Sequence, residues 1–290
     1  MIHSMKGKTL FLFLTAALLL LVSLASLHLG QISVPVSTIF HEWGRALDLP
    51  VSGANPTQEQ MAVFWYIRMP RICVAILTGA ALATAGAVMQ GVFGNPLADP
   101  GIIGVSSGAS FGAVICIFLG LTSISMYYMP AFALLGALGA VTAAIILSFH
   151  NGKIPPMTLL LSGVAVSILL GALTNGLLTF MNEYRLKEFL FWTVGGLDYR
   201  RWEHVGLAIL PILVGILLLC LLARHLNALS LGEAEAKSLG MNVLLYRSFF
   251  LFTASLITAA AVCVSGMIGF VGLVIPHVTR ILVGPDHRIM

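Results

Sequence analysis

The chain has 290 residues, of which 59% are hydrophobic and only 9% are charged. A soluble domain usually carries about 25% charged residues, so the composition excludes an ordinary water-soluble protein and indicates one that lies in a bilayer. The formal net charge of +4 does not indicate a nucleic-acid binder, because no basic helix or arginine stripe with interleaved aromatic residues accompanies it. Basic loops beside anionic lipid explain such a charge.

Long apolar runs follow one another along the chain. A helix needs about 20 apolar residues to cross a hydrocarbon core of about 30 Å, and backbone groups in lipid must bond within their own segment, which favours helices over open strands. The sequence therefore predicts an all-α, polytopic transmembrane helical bundle in which residues 1–290 form a single transmembrane domain. We expect spans at residues 10–29, 72–92, 102–121, 131–149, 157–180, 205–223, 246–264 and 267–283.

The first run follows Lys6 and Lys8, so a cleavable signal peptide is the alternative to a retained span. A signal core is only about 7–15 residues long, and this run is longer and has no clear cleavage site, which favours retention. The two lysines also favour a cytoplasmic N-terminus. Alternating the spans from there places almost as many basic residues outside as inside, the outer ones being Arg45, Arg68, Arg71, Arg185, Lys187, Arg200 and Arg201.

Small residues recur every four positions in several spans, a spacing that lets helices approach closely. The second span has Gly79, Ala83, Ala87 and Gly91, and the fourth has Gly136, Ala140 and Ala144. In the fifth span the row Gly163, Ser167, Gly171, Asn175 and Thr179 becomes polar toward one end. Two interpretations remain open for that row, helix packing and the lining of a pathway.

The cysteines lie inside apolar runs, with neither a C-x-x-C pair nor a histidine cluster beside them. We interpret them as core residues and expect neither a disulfide framework nor a metal site. They are Cys73, Cys116, Cys220 and Cys263.

The polar segment between the sixth and seventh spans predicts a short helix bracketed by Gly232 and Gly240. Acidic residues in its first turn suit the helix dipole, and Lys237 follows Glu233 by four residues, which favours an ion pair on one helix face. Taken alone, the segment could be a solvated connector.

This segment nevertheless resembles the coupling loop of ABC importer permeases, in the form L-G-x-x-x-A-x-x-L-G of the iron-siderophore, haem and cobalamin permease family. Five further segments also resemble this FecCD type and occur in the family's order along the chain, at 68–71, 86–90, 95–101, 104–108 and 266–277. The resemblance implies that the loop inserts into a groove of a separate ATP-binding subunit. The residues expected to form it are Leu231, Gly232, Glu233, Ala236, Leu239 and Gly240.

The resemblance also implies two further sites. Arg68 and Arg71 flank a Met-Pro pair and match family arginines that pair with acidic residues of an extracytoplasmic substrate-binding protein; the alternative is interfacial snorkelling. The connector 150–156 and the fifth span are expected to form the gate and the pathway. The residues concerned are Pro155, Pro156, Met157, Ser167, Asn175 and Thr179.

By the same resemblance, the chain is expected to be a permease subunit in the cytoplasmic (inner) membrane that pairs with a second permease subunit, identical or related. ATP and Mg would belong to the partner ATPase, and this chain would bind no cofactor. The expected cargo is a ferric siderophore, with haem or cobalamin as alternatives. Family members are expected to have ten spans, and the sequence ends after the eighth, so we expect a truncated C-terminus.

Other function classes find little support in the sequence. Gly7, Lys8 and Thr9 imitate the end of a phosphate-binding loop, but position 2 is Ile rather than Gly and no strand precedes it. A membrane enzyme would need a paired acid and base that the sparse polar residues do not provide. An ion-coupled secondary transporter would need acidic residues at mid-membrane depth, and the nearest candidate, Asp99, lies in a proline-flanked connector.

Overall fold

A computed structural model describes residues 5–49 and 56–289. Residues 1–4, 50–55 and 290, which belong to the predicted domain 1–290, lie outside the described residues. Within the described part, the regular structure is helical. The α-helices are α1 (Met5–His28), α2 (Val36–Ala46), α3 (Gln58–Ala62), α4 (Met69–Phe93), α5 (Val105–Phe118), α6 (Tyr128–Ser148), α7 (Pro156–Leu178), α8 (Glu183–Val194), α9 (Trp202–Leu221), α10 (Ala223–Ser230), α11 (Glu233–Ser238), α12 (Val243–Ser265) and α13 (Val271–Val283).

Among the described residues, six helical segments are long and apolar enough to cross a membrane, by length and composition. They are Gly7–His28, Gln58–Phe93, Tyr128–Ser148, Pro156–Leu178, Trp202–Leu221 and Val243–Ser265. The segment Gln58–Phe93 is continuous because a π-helical turn, Val63–Arg68, joins α3 to α4. The all-α polytopic fold predicted from the sequence is thereby confirmed.

The third and eighth predicted spans are shorter helices, α5 with 14 residues and α13 with 13. Before α5, the Asp99 carboxylate accepts a hydrogen bond from the Gly101 backbone at 2.8 Å and begins a separate 3-10 turn, Pro100–Ile103. Gly104 then adopts φ 94°, a left-handed conformation that suits glycine and interrupts the helix. Before α13, Phe270 has φ 66°, so the helix starts later than predicted.

The chain divides into two compact units. The larger unit comprises residues 77–196 and 207–290, and α12 is its central helix, since 78% of the apolar window in α12 is buried. A Cβ on Gly108 would overlap the Gly136 carbonyl, and one on Gly112 would overlap that of Phe132. The small residues of α6 therefore pack against α5, as predicted from their spacing.

The row of small residues in α4, which begins at Gly79, is closely packed at only some of its positions. Gly79 has open space where a Cβ would lie, whereas a Cβ on Gly86 would overlap the Gly272 carbonyl. The row itself packs at Gly91, whose Cβ would lie 2.9 Å from Leu226, and the close backbone approach on α4 is made by Gly86, which lies seven residues from Gly79 and on nearly the same helix face. Spacing alone did not distinguish these positions.

The smaller unit comprises residues 2–76 and 197–206. Its core contains the buried side chains of Leu27, Val34, Ile39 and Phe64. Glu42 is also buried, and its carboxylate accepts a 2.8 Å hydrogen bond from Trp65 Nε1. The buried carboxylate is therefore paired.

The cysteines fall into two groups. Cys116 and Cys263 are buried and Cys73 is partly buried, whereas Cys220 is exposed. The core interpretation fits the first three, and Cys220 lies instead on the apolar surface of α9, beside exposed Leu217 and Leu221.

Candidate functional site

The coupling segment, residues 231–240, is a short helix set off from its neighbours by two glycines. Gly232 has φ 128° and Gly240 has φ 78°, backbone conformations that residues other than glycine rarely adopt. Helix α11 begins directly after Gly232 and ends before Leu239, and Asn242 then caps α12 by accepting a hydrogen bond from the Leu245 backbone at 3.2 Å. The sequence prediction of a glycine-bracketed helix is therefore confirmed.

Only one side of this segment packs against the rest of the chain. Ala236 is fully buried, while Leu231 and Leu239 are 69% and 68% exposed. The Met241 backbone donates to the Ala236 carbonyl at 3.1 Å, which closes the turn after α11. The segment thus packs against the rest of the chain through Ala236 and leaves two leucines exposed.

Glu233 carries the ion pairs of the coupling segment. Its Oε1 lies 2.8 Å from Lys237 Nζ, the predicted pair one helical turn apart, and its Oε2 lies 3.3 Å from Arg247 Nη1. The hydrogen bond from Lys237 is the main cause that lowers the pKa of Glu233, and the positive charge of Arg247 adds to it. The carboxylate therefore stays ionised at neutral pH.

Arg247, in the second turn of α12, was missed by the sequence analysis. Its side chain is 5% exposed, and its Nη1 also donates to the Ile154 carbonyl at 2.8 Å. A guanidinium is rarely buried without partners. An arginine at the start of an apolar span could therefore have indicated a buried polar contact. Among the described residues, its Nε has no hydrogen-bond partner.

The connector before α7 has a defined conformation. His150 and Lys153 exchange two backbone hydrogen bonds of 3.0 Å, and Asn151 and Gly152, with φ 48° and 71°, form the turn between them. Pro155 caps α7 and Pro156 is its first residue, a position where the missing N–H of proline costs nothing. The predicted gate residues therefore form a rigid helix start, with Met157 71% exposed.

A cleft of about 290 Å³ is lined by residues of both the connector and the coupling segment. Lys153, Glu233, Lys237 and Arg247 all line it. The structure thus brings the predicted gate connector and the predicted coupling segment together, a proximity that the sequence analysis did not foresee.

The polar row of the fifth span changes its surroundings along α7. A Cβ on Gly163 would lie 2.6 Å from the Ile102 carbonyl, so this end of the row packs against a neighbouring segment. Ser167 is half-buried, and Asn175 and Thr179 are exposed. Thr179 donates to the Gly176 carbonyl at 2.7 Å, which satisfies its hydroxyl within the helix. Packing explains Gly163, and the pathway role of the other residues stays a prediction.

The two arginines expected at the docking site have different environments within the smaller unit. Arg68 is only 8% exposed, and its guanidinium donates to the carbonyls of Leu27, His28 and Ile32. The last carbonyls of a helix lack intrahelical partners, and Arg68 supplies donors to those at the end of α1. The guanidinium of Arg68 is therefore occupied within the chain, and its docking role stays a prediction that this burial does not favour.

Arg71 matches the expectation better. Its side chain is 51% exposed and forms a 3.0 Å ion pair with Asp198, whose side chain is 70% exposed. An exposed pair of this kind is weak, worth about 0–1 kcal/mol. Arg71 can therefore exchange Asp198 for another carboxylate at little cost.

A second polar network, also missed by the sequence analysis, joins α4 to α13. Gln90 is buried; its Oε1 accepts from Arg280 Nη1 at 2.8 Å and its Nε2 donates to the Leu273 carbonyl at 3.1 Å. Asp99 is likewise occupied, because its carboxylate caps the turn at Gly101. These groups hold the helices in place, and Asp99 is not a free carboxylate within a span.

Comparison with known proteins gives consistent matches. The model of the FecCD transport family matches residues 18–290. The cobalamin import system permease protein BtuC of Halobacterium salinarum is 42% identical over 270 residues, which cover 92% of this chain and 72% of that protein. The hemin transport system permease protein HmuU of Yersinia pestis is 36% identical, over 93% of this chain and 78% of its own length.

Two further matches differ in their named substrates. The molybdate import system permease protein MolB of Haemophilus influenzae is 36% identical, over 97% of this chain and 80% of its own length. A solved structure, described as an inward-facing conformation of an ABC transporter assigned to the metal-chelate type, superposes with a TM-score of 0.83 and 34% identity. That match covers 96% of this chain and 83% of the solved chain.

Proposed function

Because this chain belongs to the FecCD transport family and is a membrane-spanning permease subunit of an ABC importer, we propose that it moves a ferric siderophore or similar iron chelate into the cytoplasm. ATP, with Mg, is bound and hydrolysed by a partner subunit, and this chain makes and breaks no bonds. Cobalamin and haem are the alternative cargoes, since relatives named for cobalamin and hemin match at 42% and 36% identity.

The observation that supports a partner ATPase is the shape of the coupling segment. Leu231 and Leu239 are exposed on either side of the buried Ala236. Two exposed leucines on a polar connector are unfavourable in water, and a groove on an ATP-binding subunit would cover them. The glycines at 232 and 240 let this short helix stand out from α10 and α12.

Alternation of the spans supports one orientation. The connector 150–155 and the coupling segment contact each other through Arg247, so both lie at the same end of the helices. With the N-terminus in the cytoplasm, both fall on the cytoplasmic side of the inner membrane, where the ATPase is. The partner permease subunit, identical or related, would then complete the pathway against α7, whose Asn175 and Thr179 are exposed.

The smaller unit would receive the substrate-binding protein. Arg71 is the residue best placed for this role, because it is half exposed and already paired with an exposed carboxylate. A guanidinium binds a carboxylate through two parallel hydrogen bonds, which orients the partner as well as attracting it.

Co-purification tests the proposal. The chain, expressed together with a candidate ATPase, second permease and binding protein, is expected to retain the ATPase through detergent extraction. Leu231→Asp with Leu239→Asp should abolish that retention, whereas Leu217→Asn, at an exposed position on α9 away from the coupling segment, should not. A complex that keeps its ATPase after both leucine changes would contradict the role of the coupling segment.

A further inference from the structure

Arg247 makes two contacts that no motif in the sequence predicts. One nitrogen, Nη1, donates to the Ile154 carbonyl at 2.8 Å and to Glu233 Oε2 at 3.3 Å. The first acceptor belongs to the connector before α7, and the second belongs to the coupling segment. A single side chain on α12 therefore joins two segments that are far apart in the sequence.

The burial of Arg247 makes this link stiff. Its side chain is 5% exposed, and charge-assisted hydrogen bonds in a poorly solvated site are stronger than those in water. The guanidinium is planar and rigid, so its two acceptors are held in a fixed relation to each other. Ile154 is also buried, at 2% exposure. The connector and the Ile154 carbonyl are therefore expected to move together.

We propose that Arg247 is a positioning residue that transmits displacement of the coupling segment to the connector 150–155, and through it to the start of α7. The proposal rests on the proposed function, in which an ATPase moves the coupling segment. A shift of α11 displaces the Glu233 carboxylate. The Arg247 guanidinium moves with this carboxylate because the two are paired, and the Ile154 carbonyl moves with the guanidinium because it accepts its hydrogen bond. Pro155 and Pro156 then pass the shift to α7 because proline leaves little freedom of φ at either position.

Lys237 makes a contact of a different kind. It pairs with the other oxygen of the same carboxylate, 2.8 Å from Oε1, but its side chain is 50% exposed and the pair lies within one helix. Its removal leaves both hydrogen bonds of Arg247 in place. Arg247 and Lys237 thus separate a link between segments from a pair inside one segment.

The test uses the full chain with its ATPase, second permease and binding protein in nanodiscs and proteoliposomes. Arg247→Met should leave the ATPase bound and active while substrate transported per ATP hydrolysed falls at least about fivefold, the lower end of typical coupling between sites. Arg247→Lys, which keeps the charge but not the planar fork, should recover part of this loss. Lys187→Met, which breaks the exposed pair with Glu183 on α8 outside the coupling segment, should stay within about twofold of the wild type, because such exposed pairs contribute little.

A distance measurement gives a second readout that a purely structural role would not change. Spin labels at His150 and Ala234, both exposed, should give one narrow distance distribution in the wild type, with and without ATP. In Arg247→Met the distribution should broaden or become dependent on nucleotide. If Arg247→Met does not assemble, Arg247→Gln takes its place in both measurements.

The outcomes are distinct. Wild-type transport per ATP together with an unchanged distance distribution in Arg247→Met, or in its Gln substitute, would overturn the proposal. Loss of transport and of ATPase binding in the same proportion would also overturn it, because that result assigns Arg247 to assembly alone. A wild-type chain that retains no ATPase would contradict the proposed function instead, and the label distances without ATPase would still test the link.

Discussion

The Glu233 carboxylate and the Arg247 guanidinium lie 3.3 Å apart, one in the exposed coupling segment and the other in the buried start of α12. The pair connects the part of the chain that resembles an ATPase-binding loop with the connector that precedes α7. Several consequences for coupling, gating, docking and packing can be measured independently.

Ala236 is the packing contact of the coupling segment. It is fully buried, so Ala236→Leu should push α11 away from its neighbours at a cost of about 1–3 kcal/mol and uncouple ATP hydrolysis from uptake while membrane insertion remains intact. Ala131→Leu, at an exposed position on α6 outside the coupling segment, is the matched control. ATPase activity and uptake measured in parallel check this, and normal uptake by Ala236→Leu would rule out a packed coupling helix.

The gate prediction concerns Met157. Its side chain is 71% exposed at the first turn of α7, where Pro155 and Pro156 fix the backbone. Cysteines placed at this position in both permease subunits should crosslink in the closed state and fail to do so when the gate opens. Absence of a crosslink in every nucleotide condition would remove the gate from this connector.

Arg68 and Arg71 should respond differently to charge reversal. Arg71→Glu is expected to raise the dissociation constant of the binding protein at least about tenfold, within the range for breaking a desolvated interfacial charge pair, and a reversed charge on the partner should restore part of it. Arg68→Glu should instead lower stability by at least about 2 kcal/mol, because three backbone carbonyls lose their donor.

Affinity in nanodiscs and thermal unfolding in detergent separate these effects. Unchanged affinity after Arg71→Glu would count against docking at this residue. A stable Arg68→Glu protein with weakened docking would show that Arg68 faces the partner after all.

The two glycines of α4 provide a packing test. Gly86→Ala should disrupt folding, since its Cβ would overlap the Gly272 carbonyl, whereas Gly79→Ala meets open space and should be neutral or stabilising by up to about 1 kcal/mol. Yield of monodisperse protein and its unfolding temperature measure both. Equal behaviour of the two variants would refute the close crossing at Gly86.

The helical fold and the coupling helix were predictable from the sequence, because run length, glycine punctuation and the Glu233–Lys237 spacing are local features. Which glycine of α4 makes the close approach was not, since Gly79 and Gly86 are distinguished only by what lies opposite them. The burial of Arg68 was missed for a similar reason. Its partners are backbone carbonyls about 40 positions away in the chain, and such acceptors leave no mark in the sequence. Arg247 likewise acts through contacts distant in sequence, 93 positions away at Ile154.

ATP-driven uptake into proteoliposomes tests the central claim most directly. Liposomes that contain the chain, its second permease and its ATPase would be supplied with binding protein and a radiolabelled ferric siderophore outside, and with or without ATP at the ATPase face. We expect accumulation that requires ATP and binding protein and is unaffected by ionophores that collapse ion gradients, and its loss in Leu231→Asp with Leu239→Asp. Uptake that continues without ATP and stops when the ion gradients are collapsed would contradict the account and identify an ion-coupled transporter.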